Sequence, residues 1–173
     1  MKLLAPIIGV LMLANAANAE SPRVQLRQMV ERLQKSPDDN TLREKIIKLA
    51  MKMNPMPALP EEARQRLVQG SKMFGAAQNL EDYRRAENEF KRAILIAPWW
   101  ADAYCQLGEA QSKAGERPAA ISSFESCALG TPPGDMRERN QARFKLEKML
   151  QKEDEKACGK NGGLTIRCGT GRR

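Results

Sequence analysis

Apolar residues return every three or four positions along most of this chain, the period of a helix with one face turned to a core. Leu26, Met29, Val30 and Leu33 mark the first such face. Ser36-Pro37-Asp38-Asp39 interrupts it, because proline cannot continue a helix. A second helix carries Leu42, Ile46, Leu49, Ala50 and Met53 on its apolar side, and Thr41 with Glu44 has the spacing of a capping box. Asn54-Pro55-Met56-Pro57-Ala58-Leu59-Pro60 excludes regular helix and reads as a stiff connector. A third helix is predicted from Pro60-Glu61-Glu62, with acids at its positive dipole end, to about Gln78. A fourth, capped by Asn79, runs to Pro98. A fifth follows Trp99-Trp100 and stops at Gly115. A sixth runs from near Pro118 to Gly130. After Thr131-Pro132-Pro133-Gly134, Asp135 with Glu138 caps a seventh helix bearing Ala142, Leu146, Met149 and Leu150 on one face. Only Leu164-Thr165-Ile166 has any strand character, so the fold class is all-α.

Within that pattern lies a repeat. Residues 101–134 place Ala103, Tyr104, Leu107 and Gly108 in one helix, Gly115 at a turn, then Ala120, Phe124 and a closing Pro132. Small Gly108 and Ala120 allow two helices to approach, while Tyr104, Leu107 and Phe124 fill the space between them. Gly115 supplies a left-handed turn. Residues 63–100 repeat the scheme in degenerate form, with Gly70 in the small position and then Ala86, Phe90, Ala93 and Pro98. Pro98 and Pro132 are one unit length of about 34 residues apart, and the turn around Ala76 to Asp82 holds a few extra residues.

This arrangement resembles the tetratricopeptide repeat, clearly over 63–134 and loosely over most of the chain from residue 20 on. One signature aromatic is missing, and Gln111 stands in its place. The resemblance implies a short right-handed α-solenoid of antiparallel helix pairs. Residues 20–60 would form an N-terminal helical pair with its connector, either a worn repeat or a cap. Residues 135–153 would form a C-terminal capping helix, and 154–173 an irregular, basic, Gly-rich tail. It also implies a concave groove lined by the first helix of each repeat. That groove would carry Asp102, Cys105, Gln106, Glu109, Ser112 and Lys113 in the clear repeat, and Arg64, Leu67, Ser71 and Phe74 in the degenerate one. A protein or peptide is the expected ligand.

The chain start changes where this domain should operate. Lys2, the short apolar stretch Leu3 to Leu13, and Ala17-Asn18-Ala19 followed by Glu20 have the order of a cleavable signal peptide over residues 1–19. The stretch is too short to span a bilayer, which needs about 20 residues. The expected location is a bacterial periplasm, and the expected partner a cell-envelope protein. Four cysteines in an oxidising compartment suggest disulfides, and four cysteines allow three connectivities. Cys105 and Cys127 are equidistant from the Gly115–Arg117 turn, so an antiparallel hairpin sets them level. Cys105–Cys127 with Cys158–Cys168 is the favoured pairing.

Composition narrows the chemistry. The formal net charge is +8 and there is no histidine. The absent imidazole removes Ser-His and Cys-His nucleophiles and His-ligated metals. Carboxylates sit in helical i, i+4 patterns beside Lys and Arg, the usual arrangement of a solvated face. The chain therefore reads as a non-enzyme without a cofactor. The positive balance leaves an alternative open, attachment to an anionic envelope surface or polymer through the basic seventh helix and Arg172-Arg173; nucleic acid does not suit the compartment. A further alternative is a Cu(I) carrier using the soft thioethers of Met51, Met53 and Met56, against which stands their use as core filler. Trp99-Trp100 should place at least one ring between helices.

Overall fold

The computed structural model describes residues 20–132 and 134–159, and all regular structure in them is α-helix. Local chemistry sets the helix ends. α1 (Pro22–Lys35) opens with proline in its first turn, and the Ser21 hydroxyl accepts from the Val24 N–H. α2 (Asn40–Lys52) is capped by Asp39, whose Oδ1 accepts from the Leu42 N–H at 2.8 Å. The expected Thr41–Glu44 capping box is thereby displaced. A carboxylate two residues earlier satisfies the orphan donor, Thr41 falls inside the helix, and Glu44 pairs with Lys48 instead.

α3 (Glu61–Ala76) begins after Pro60 as the spacing predicts, but ends at Ala76 rather than near Gln78. The Gln78 N–H is taken by the Asp82 carboxylate of the next helix, α4 (Leu80–Ile96). Asn79 caps α4 by accepting from the Asp82 N–H at 3.0 Å. α5 (Ala101–Lys113) turns into α6 (Arg117–Gly130) through Gly115, which adopts φ 79°, the left-handed conformation expected of it. α7 (Met136–Gly159) extends beyond its expected end. Nothing between Lys152 and Ala157 breaks a helix, so residues 154–159, expected to begin the irregular tail, continue it. The side chain of Glu138, the signal-like segment 1–19, the strand-like run at Leu164 and the rest of the tail lie outside the described residues.

Helices pack against their chain neighbours: α3 on α4, α4 on α5, α5 on α6 and α6 on α7. The α3–α4 pair is antiparallel, since Phe74 near the turn meets Tyr83 while Gly70 and Arg66, earlier in α3, meet Phe90 and Glu89 later in α4. The main core joins Ile47 to Leu67, Ala86, Phe90, Ala93, Ile94, Ala103, Tyr104, Leu107 and Cys127. A second cluster sits beneath the first two helices and holds Leu26, Leu33, Leu42, Ile46, Ala50, Ala63, Ala97 and Trp99.

The position of α1 and α2 follows from that second cluster. α1 lies against α4 and α2 against α6, and Ala63 brings the start of α3 into the same cluster. Gly130, at the end of α6, leaves a gap into which Ile47 of α2 and Ala101 of α5 both reach, each 3.5 Å from where a Cβ would stand. The N-terminal pair thus lies across the α4–α5 corner and the end of α6.

Candidate functional site

The candidate site is built on α3, α5 and α7. One side-chain contact links α3 to α5, and another links α5 to α7. Ser71 of α3 donates from Oγ to Gln106 Oε1 of α5 at 2.6 Å, while also meeting the Leu67 carbonyl at 2.8 Å. Glu109 of α5 accepts from Lys145 of α7. The Lys145 ammonium also lies 5.8 Å from the centre of the Phe124 ring, within reach of its negative face.

What lets α3 sit close to α4, and α5 close to α6, is a glycine beneath a phenylalanine, used twice. A Cβ on Gly70 would stand 2.6 Å from the Phe90 ring, and a Cβ on Gly108 would stand 2.9 Å from the Phe124 ring. Both contacts are shorter than side-chain carbons tolerate. Ala120 is fully buried in the same hairpin, but the ring of Phe124, rather than Ala120, occupies the space that Gly108 leaves.

The expected groove residues divide. Ser71, Gln106 and Glu109 meet as described. Asp102 accepts from Trp100 Nε1 at 3.2 Å, which ties the start of α5 to the indole. Ser112 and Lys113 are exposed at the end of α5. Arg64 donates to the Leu59 carbonyl at 2.9 Å and lies 3.8 Å from Glu61, so it braces the start of its own helix. Two expected contact residues turn inward. Leu67 is buried in the main core, and Phe74 packs against that core with its ring 5.5 Å from Tyr83. Their apolar side chains gain more from burial between α3 and α4 than from lining a wet surface.

Cys105 and Cys127 form a disulfide with their Cα atoms 5.1 Å apart, the pairing expected from their level positions in the hairpin. Cys105 is therefore committed to α6 and is not a groove side chain. Cys168 and the side chain of Cys158 lie outside the described residues. Trp99 is buried in the second cluster, and Trp100 is half-buried against both clusters. The methionines divide likewise: Met51 packs on the main core and Met53 on the second cluster, while Met56 is exposed. Each of the first two has an apolar surface to cover.

The sequence reading missed a buried polar chain behind the face. Glu87 of α4, only 3% exposed, receives Gln111 Nε2 of α5 at 3.3 Å and pairs with Lys91 at 2.6 Å. Gln111 Oε1 accepts from Ser123 of α6 at 2.7 Å. The signal was present as the glutamine occupying an aromatic position. Glu89, 6% exposed, is satisfied by Arg66 of α3 and Arg92 of its own helix. Tyr104 donates to the Pro98 carbonyl at 2.9 Å. Burial pushes its phenol well above the ordinary range, against a smaller opposing pull from Arg43.

In comparisons with known proteins, the chain matches no family model, no curated protein and no solved structure.

Proposed function

We propose that this chain is a periplasmic, non-catalytic adaptor of the tetratricopeptide kind, whose α3–α5–α7 face holds a segment of another cell-envelope protein. The observation that carries the reading is the doubled glycine–phenylalanine nest, Gly70 with Phe90 and Gly108 with Phe124. Two hairpins using the same joint are units of a repeat, and a right-handed stack of such units has a hollow side made by its first helices. The Ser71–Gln106 and Glu109–Lys145 contacts support that registration of α3, α5 and α7. The disulfide suits an oxidising compartment, and the segment 1–19 suits export.

The face is polar and mixed in charge. Its ligand would be an extended peptide or a helix held by hydrogen bonds, with no single charge clamp. Affinity capture from envelope extract tests this, using the natural chain and a triple alanine variant at Asp102, Glu109 and Lys113. The expected result is loss of specific partners by the variant with helix content unchanged. An identical set of captured proteins would count against the face.

A further inference from the structure

The outward side of α7 carries a second surface. Ala142 is buried, and Leu146, Met149 and Leu150 are half-buried on the side that meets α6. The opposite side carries Phe144, which at 65% exposure is the most exposed large apolar residue among those described. Arg137 and Lys148 stand at helical spacing from it and Arg143 directly precedes it, all exposed, with exposed Glu147 also one turn away. Of the other basic residues of this helix with described side chains, Arg139 meets the Thr131 carbonyl and Lys145 meets Glu109. Among the described residues no ion pair holds Arg137, Arg143 or Lys148, and Glu147 is the only acid with a described side chain on that helix.

We propose that this side of α7 docks on an anionic phospholipid bilayer, with Phe144 inserted at headgroup depth and Arg137, Arg143 and Lys148 on lipid phosphates. Three occupants compete for the surface, and the residues discriminate among them. A docked helix needs several apolar residues at i, i+4 and i+7 spacing, whereas Asn140, Gln141 and Gln151 flank the single ring. A second copy stacking its open α3 side on α7 would set Arg64 and Lys72 against these same cations. A bilayer interface requires only an aromatic at the boundary and cations in the headgroup field. Each such cation contributes about five-fold to partitioning into an anionic surface, so three together give on the order of 100-fold. The ring adds on the order of ten-fold by leaving water. This surface is distinct from the α3–α5–α7 face, and neither depends on the other.

Co-sedimentation of the full chain with vesicles of phosphatidylglycerol and phosphatidylcholine, against phosphatidylcholine alone, tests the assignment. The ratio between the two lipids is the readout, because the uncharged stretch Leu3 to Leu13 favours both alike. The natural chain should prefer the anionic vesicles by about 100-fold at low salt. Arg137→Gln/Arg143→Gln/Lys148→Gln should abolish that preference. Arg23→Gln/Arg27→Gln/Lys35→Gln, which removes the same charge from exposed residues of α1, should leave it within a few-fold. Phe144→Ala should lower anionic-vesicle binding about ten-fold while circular dichroism stays unchanged. Equal loss from both triple variants would overturn the proposal in favour of diffuse attraction. Vesicle binding insensitive to Phe144→Ala, together with equally tight binding to soluble polyaspartate, would overturn it in favour of an acidic polymer partner.

Discussion

Gly108 and Gly75 occupy α5 and α3, yet a methyl group should have opposite effects at the two. At Gly108 the added carbon would sit 2.9 Å from a buried ring that has nowhere to go, so Gly108→Ala should cost about 1–3 kcal/mol. At Gly75 nothing lies within 4 Å, and Gly75→Ala should raise stability by up to about 1 kcal/mol by stiffening the unfolded chain. Urea unfolding of the two variants decides the matter, and the same sign for both would refute the nest. Tyr104 makes a second residue-level claim. Its phenol is held protonated by burial, so its pKa in the folded state exceeds the unfolded value of about 10. The folded state therefore binds the proton more tightly. This contribution is fully present below about pH 10 and is lost as the pH climbs above it. Chemical stability measured from pH 7 to 11 should be flat and then fall, and Tyr104→Phe should reduce the alkaline decline. Hydrophobic spacing identified Tyr104 as core, but its environment depends on the Pro98 carbonyl and Arg43, which only the tertiary fold brings near.

Helix by helix, two cross-links set the joint between α5 and α6. The disulfide closes a loop over a sequence separation of 22, which by chain entropy is worth about 3 kcal/mol. Cys105→Ser/Cys127→Ser should lose about that much in equilibrium unfolding. A reductant should bring the natural chain to the same midpoint, whereas a midpoint unmoved by reduction would show the bridge to be thermodynamically idle. The polar chain behind it acts differently. Gln111→Leu deprives the buried Glu87 carboxylate and the Ser123 hydroxyl of a partner each, at about 1–3 kcal/mol by the usual cost of an unmade buried bond. Gln111→Glu would add a second buried acid beside Glu87 and should destabilise further, most strongly at high pH. Helix identity and most boundaries were legible because prolines, caps and apolar spacing are local signals. Glu87 was not legible as a buried group, since an i, i+4 acid beside Lys91 has the same appearance as a solvated pair. The Thr41–Glu44 cap was misplaced for a related reason: Asp39 offered an equally valid local solution two residues earlier, and geometry selected it.

For the molecule as a whole, α1 and α2 matter more than their marginal place in the repeat pattern suggests. Leu33 and Ile46 are fully buried in the second cluster, facing Ala97 and Trp99. Ile46→Ala should therefore cost about 2–5 kcal/mol, as a core truncation does. It should also shift tryptophan emission toward the red by admitting water to Trp99. A purely local helix defect would leave that emission unchanged. That the first pair folds across α4 and α6 was not legible from periodicity, because an apolar stripe states that a helix has a partner and does not say which one.

The contact of Ile47 with the gap at Gly130 has a temporal side. The opening helices of this polypeptide have no complete seat until some eighty further residues have been made and folded, a separation of the kind that slows folding. A part made early thus waits for a part made late, and until then its apolar side stays uncovered.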